Sequence, residues 1–293
     1  MLEKILHSDG LYIYEELPEW YKDNIFIKDK YRSWDKNYSY YIKSIFKLHN
    51  ETLNIWTHFI GFIFYLAVLI IYNLFHFDYL NDIYSIRNSI ATNIYILTAM
   101  LCFLLSSIMH TIYPKSCRVC GNSCTMDYIG ITLLISGSYT PFIYYLFFCN
   151  PRLEFIYIIV INSLALLNII VCFMSFMYKP KYFRYKALIY CIYTMSVIVP
   201  ICNKFIKDNY KFRVDVLYDI KYYCLSLISY IIAVIFYITR FPECTFKIRY
   251  IYSHSIFHFF TLIGSICILI SIFEIQFIYQ KLNCANDTIK ILF

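Results

Sequence analysis

Charge is what this sequence most lacks. Only 15% of its 293 residues are Asp, Glu, Lys or Arg, against 60% hydrophobic, and the mean hydropathy is +0.56. A soluble domain carries roughly 25% charged residues, so the composition excludes an ordinary soluble protein. Glycine is scarce as well, at six, which argues against tight helix crossings through small residues as the general packing device. The first 50 residues contain no apolar core of signal-peptide length, so insertion is expected to begin with the first spanning helix. No internal repeat, low-complexity linker or second domain interrupts the chain.

What the chain does have is apolar runs. Seven of them, each near the roughly 20 residues that cross a bilayer, fall at about 55–77, 90–112, 125–148, 153–178, 186–205, 220–240 and 254–278. The expected fold is an all-α integral membrane protein, a multi-pass bundle of seven transmembrane helices over 51–293, preceded by a polar N-terminal region over 1–50. In that region Leu17-Pro18-Glu19-Trp20-Tyr21 reads as a turn followed by a short amphipathic helix. Ile42, Ile45 and Phe46 suggest a second helix along the membrane surface near Tyr41–His49; a solvated tail with anchoring aromatics is the alternative. Asn150-Pro151-Arg152 and Lys179-Pro180-Lys181 are expected to be tight turns. Seventeen Lys and Arg flank the spans on the N-terminal side and nine on the other. The positive-inside rule therefore puts the N-terminus in the cytosol and the C-terminus outside.

This topology aligns the polar residues inside the spans. Segment 2 ends inward near His110, segment 3 starts there with Asp127 in its first turn, and segment 7 starts there with His254 and His258. The last two are four apart and share one helix face, and histidine in lipid is costly enough to imply a function. Three imidazoles with one free position match a catalytic zinc site, where the ion makes water acidic enough to attack near neutral pH. The expected ligands of Zn2+ are His110, His254 and His258. No glutamate stands between the two histidines of segment 7, so this is not the zincin motif, and a base must come from another helix. Asp127 is the candidate. Ser106, one turn before His110, is a candidate orienting partner or substrate contact. Asn54 and His58 either join this cluster or cap and anchor the first span. Cys117, Cys120 and Cys124 are expected in the second loop; three thiols fall short of a four-ligand zinc site, and they read as free thiols on the cytosolic side. The other cysteines read mostly as small hydrophobes, and Glu274 as reaching the outer interface. Two seven-helix alternatives drop out, because the segment 254–278 holds neither the lysine of a retinal protein nor the proline of a rhodopsin-like receptor.

Several motifs in order resemble the progestin and adiponectin receptor family, also called the hemolysin III family. They are Leu17-Pro18-Glu19-Trp20, Asp23-Asn24 and Tyr31-Arg32; Ser44-Ile45-Phe46, His49, Glu51-Thr52 and Asn54-Ile55-Trp56-Thr57-His58; Ser106, His110, Tyr113, Asp127-Tyr128, Gly130-Ile131, Gly137-Ser138 and Pro141; and Arg240, Pro242-Glu243, Ser253-His254 and Phe257-His258. The detail is closest to the adiponectin-receptor-like branch. The resemblance implies a seven-helix bundle inverted relative to G-protein-coupled receptors, zinc on His110, His254 and His258, Asp127 holding a water at the metal, and Ser106 beside it. It also implies hydrolysis of lipid amides such as ceramide, ligand-responsive signalling, or haemolytic pore formation. The chain departs from the family where Cys244–Tyr252 replaces a Pro-Gly…Asp segment and where Ser255 replaces a common Gln.

Three functions follow as expectations. The first is a zinc-dependent amidohydrolase acting on a ceramide-like sphingolipid, and the second a pore-former. The third is a receptor or scaffold whose zinc is structural. Membrane lipids are the expected partners and nucleic acid is not. The plasma membrane and an endomembrane such as the vacuolar one both stand open, as does the oligomeric state.

Overall fold

The apolar runs form helices. The computed structural model describes residues 10–76, 83–207, 221–248 and 250–279. In chain order the α-helices are α1 (Tyr38–Ser44), α2 (Thr52–His76), α3 (Ile83–Ile112), α4 (Cys117–Leu146), α5 (Pro151–Cys172), α6 (Phe183–Met195), α7 (Ile198–Lys207), α8 (Lys221–Thr239) and α9 (Ser253–Tyr279). Among the described residues seven stretches are long and apolar enough to cross a membrane, the fifth being Pro180–Ile206, which joins α6 and α7. The protein is thus a multi-pass seven-helix membrane protein. The basic residues Lys4, Lys211, Arg213, Arg249, Lys281 and Lys290 of the charge tally lie outside the described residues.

The helix ends follow from local chemistry. Asn150 accepts the Leu153 N–H at 3.2 Å, with Pro151 opening α5, so the chain turns there as Asn and Pro dictate. Lys179-Pro180-Lys181 enters a short 3-10 turn, Pro180–Tyr182. The third span departs from expectation. It begins at Cys117, capped by Ser116, whose Oγ accepts the Val119 N–H at 3.3 Å. Cys117, Cys120 and Cys124 are therefore helical rather than in a loop, and Asp127 lies in the third turn rather than the first. The reason is shelter: Cys120 and Cys124 pack against a cluster of Tyr12, Tyr21, Tyr31, Tyr113 and Tyr252, so these early turns need not be apolar all round.

The main core lies between α2, α3, α4 and α9, with Tyr65, Tyr95, Phe103, Leu134 and Ile272 buried. Tyrosine serves here as a large apolar filler whose hydroxyl still needs a partner. Tyr95 donates to the Ser265 carbonyl at 2.5 Å and lies 3.2 Å from the Tyr65 hydroxyl. The few glycines mark the closest approaches. A Cβ on Gly137 would lie 1.8 Å from Thr98 Oγ1, and one on Gly264 would lie 2.8 Å from the Tyr230 ring. Close crossings through small residues are therefore used, at few places. At the end remote from the histidines, Arg87 holds Glu154 at 2.6 Å and lies over the Tyr144 ring. Glu274 pairs with Lys221 at 3.2 Å, both half-exposed.

The N-terminal region folds back on the bundle and is not a solvated tail. Tyr12 and Tyr31 form an antiparallel bridge. Leu17–Tyr21 is a turn, closed by the Tyr21 N–H to Pro18 carbonyl bond at 2.9 Å. No helix follows it; a 3-10 turn, Tyr14–Glu16, precedes it, and the next helix is α1. Tyr21 and Tyr31, 1% and 2% exposed, pack into the cluster that joins the segment to the bundle, and this packing rather than a helical stripe sets the course of the chain. On α1 and just beyond it, Ile42 and Phe46 are exposed.

Candidate metal centre

Two helix ends converge on one point. His110 comes from the last turn of α3, and His254 and His258 from the first two turns of α9. One ring nitrogen from each lies within 4.8 Å of the other two, so the three could hold a metal ion. His254 Nε2 is 3.3 Å from His110 Nε2 and 3.1 Å from His258 Nε2. His110 and His258 are buried and His254 is partly so.

The opposite ring nitrogens explain why Nε2 faces inward. His110 Nδ1 lies 2.7 Å from Glu51 Oε2, and His258 Nδ1 lies 3.2 Å from the Asn54 carbonyl. Each partner is an acceptor, so each Nδ1 carries the proton and each Nε2 presents a lone pair. Two lone pairs converging beside the His254 ring make a seat for a cation, and an oriented second nitrogen is the usual support of a metal-binding histidine. The donor set therefore fits a zinc ion. Glu51 is itself held by four donors: His110, Asn54 Nδ2 at 2.7 Å, Tyr113 OH at 3.1 Å and Asn50 Nδ2 at 3.2 Å. Burial alone would raise its carboxyl, but the hydrogen bonds from His110 and Asn54 outweigh this and keep it below the usual carboxylate range.

A cavity of about 470 Å³ opens from the triad. Ser106 and Asp127 line it beside the three histidines, so the structure brings together every site residue expected from sequence. Ser106 does not orient His110; Glu51 takes that role, and Ser106 Oγ is buried on the Asp127 side of the cavity. Further in, the lining is apolar: Leu134, Ile135, Leu227, Ile231 and Val234. Lys186 reaches the cavity wall, donating to Tyr128 OH at 3.0 Å.

Asn54 and His58 join the cluster rather than merely capping α2. Asn54 Oδ1 accepts from Ser255 Oγ at 2.6 Å. The His58 ring stacks on His258, with centroids 3.6 Å apart and planes at 12°. Glu51 was assigned no role from sequence. Its signal was available, because Glu51, Asn54 and His58 are spaced i, i+3, i+7, the stripe that one helix face presents inward.

Comparison with known proteins agrees with this architecture. A family model described as haemolysin-III related matches residues 46–269. The heptahelical transmembrane protein 1 of Arabidopsis thaliana is 34% identical over 274 residues, covering 90% of this chain and 80% of that one. The progestin and adipoQ receptor-like protein 1 of Caenorhabditis elegans is 30% identical over 278 residues, covering 92% of this chain and 62% of that one. The adiponectin receptor protein of Drosophila melanogaster is 28% identical over 248 residues, covering 84% of this chain and 55% of that one.

Proposed function

The chain belongs to the haemolysin-III related family of receptor-like membrane proteins, and on that footing we propose that it is a zinc-dependent hydrolase of ceramide-like lipid amides. One observation carries the reading: three Nε2 atoms converge at the head of an apolar cavity, with Ser106 and Asp127 on its wall. His110, His254 and His258 would hold the ion, which supplies Lewis acidity toward a carbonyl oxygen and acidifies water. The apolar depth of the cavity takes the acyl chain and leaves the amide beside the histidines. Asp127 accepts a proton from the attacking water as the new C–O bond forms. It returns that proton to the amide nitrogen as the C–N bond breaks, so the products are a fatty acid and a sphingoid amine. Ser106 Oγ–H, on the same wall as Asp127, donates to the substrate's polar head.

Orientation belongs to this proposal. The N-terminus and the triad face the cytosol, and the C-terminus lies outside. Cys149 is disulfide-bonded beyond the far end of α4, while Cys117, Cys120 and Cys124 near the triad are free. Disulfides belong to the oxidising side, which supports the charge tally.

The test is release of fatty acid from labelled ceramide by purified protein, in wild type and His258→Ala. Turnover in wild type and its loss in the variant are expected, and equal activity in the two refutes the reading. A receptor whose metal only ties helices together is the second reading. It is favoured by the same triad's bridging of α3 and α9, and zinc binding without turnover would establish it. A pore is disfavoured, because the cavity becomes apolar away from the triad.

A further inference from the structure

The three histidines are not positioned by the spans alone. Residues 10–36 form a strap across the end of the bundle, and it grips the two helices that carry the triad, α3 through its backbone and α9 through Glu243. Arg32 is 1% exposed. Its Nη2 donates to the His110 carbonyl at 2.5 Å, and its Nη1 donates to the Thr111 carbonyl at 2.8 Å and to Ser44 Oγ at 2.9 Å. These carbonyls lie in the last turn of α3, where helical partners run out and a cation is favourable. On the other side Glu243 accepts the Ser253 N–H at 2.7 Å and the Ser253 hydroxyl. Ser253 is the first residue of α9 and the neighbour of His254. The strap holds this Glu in place, because Asn24 Nδ2 donates to Glu243 Oε1 at 3.0 Å and Arg240 Nη1 donates to Asn24 Oδ1 at 3.1 Å. Glu51 closes the circuit through Tyr113, whose ring lies edge-on to Tyr21 of the strap at 5.3 Å.

We infer that docking of the strap and metal binding are one coupled equilibrium, with Arg32 and Glu243 as the positioning residues that set the separation of His110 from His254. This rests on the zinc reading of the triad. A guanidinium buried against the carbonyl of a ligand residue leaves little freedom for that ligand, and a carboxylate on the N-terminus of α9 does the same for the next. If the strap lifts, His110 and His254 are released from their backbone restraints and the metal is held less tightly. By linkage, metal binding must then tighten the strap by the same factor.

Reciprocity makes the inference testable without any mutation. In the full-length protein, hydrogen–deuterium exchange of peptides covering 20–36 is compared with zinc bound and after chelation. Slower exchange with zinc is expected there, and no change in α5. Zinc affinity is then measured by competition with a chelating dye in wild type, Arg32→Met, Arg32→Lys, Glu243→Gln and the remote control Arg87→Met. Arg32→Met and Glu243→Gln are expected to weaken zinc by roughly 10–100-fold, as loss of an orienting partner does. Arg32→Lys should recover part of that loss, and Arg87→Met should match wild type. A merely structural Arg32 would lower the melting temperature of the metal-free protein and leave zinc affinity unchanged. Should Arg32→Met not fold, Glu243→Gln and the exchange comparison still decide. Strap exchange indifferent to zinc, with Glu243→Gln within twofold of wild type, overturns the coupling while leaving the metal site intact. Failure of the wild type to bind zinc overturns the functional reading and the coupling together.

Discussion

His49 is the residue whose environment most directly sets a pH response outside the spans. Its Nε2 donates to the Ser44 carbonyl at 3.1 Å and its Nδ1 accepts the Glu51 N–H at 3.1 Å, so both nitrogens are used by the neutral ring. Burial, then the Arg32 charge, pushes its pKa down to about 3. The unfolded chain takes up a proton near pH 6.5 that the folded chain refuses. The stability tied to the neutral ring is therefore complete above that pH and is lost as pH falls toward the folded value. Between pH ~6.5 and ~5 this amounts to roughly 1–2 kcal/mol. Melting curves of the chelated protein should therefore fall less steeply over that range in His49→Gln than in wild type; parallel curves would dismiss the assignment. At this scale the sequence was only partly legible. The three histidines of the candidate site could be found because histidine in an apolar run is costly wherever it sits. Arg32 stands among polar neighbours, where nothing in composition separates a site residue from a solvated one, and Glu51 is marked only by the helical stripe it shares with Asn54 and His58.

Among the elements, α4 shows where local reading stops. Its apolar stretch is plain from the sequence, but its first two turns carry Arg118, Asn122 and Ser123, which resemble a loop. The strap and Tyr113 shelter those turns, and hydropathy along the chain does not register a partner from elsewhere. Gly137 shows the converse. It is one scarce residue in a long helix, and only the packed bundle places it on Thr98 of α3, whose Oγ1 is tied to the Ile94 carbonyl at 2.9 Å. An added methyl forces α3 and α4 apart or displaces that hydroxyl. Overpacking of this kind costs about 1–3 kcal/mol. Gly137→Ala should thus lower the melting temperature in detergent, whereas Gly121→Ala, whose Cβ would meet nothing nearer than 3.8 Å, should not.

The whole molecule is tied together at one end by the triad and the strap and at the other by Arg87–Glu154. A ligand that binds only the folded state stabilises it by mass action, about 2.7 kcal/mol at a free concentration 100 times Kd. Chelation should therefore lower the melting temperature of the wild type and have no effect on the double variant His254→Ala/His258→Ala. An equal shift in both would place the metal elsewhere. The number of spans, their approximate places and the pairing of His110 with His254 and His258 were determined by the sequence alone. The reason is that transfer of apolar side chains into lipid is a local property, summed along each run, and short loops leave few ways to connect the runs. Which groups hold the ligands was decided by the tertiary structure. Glu51 meets His110 across 59 residues and Asn24 meets Glu243 across 219. Such hydrogen bonds exist only once α2, α3 and the strap have packed together, and no periodicity in the chain encodes a partner at that separation.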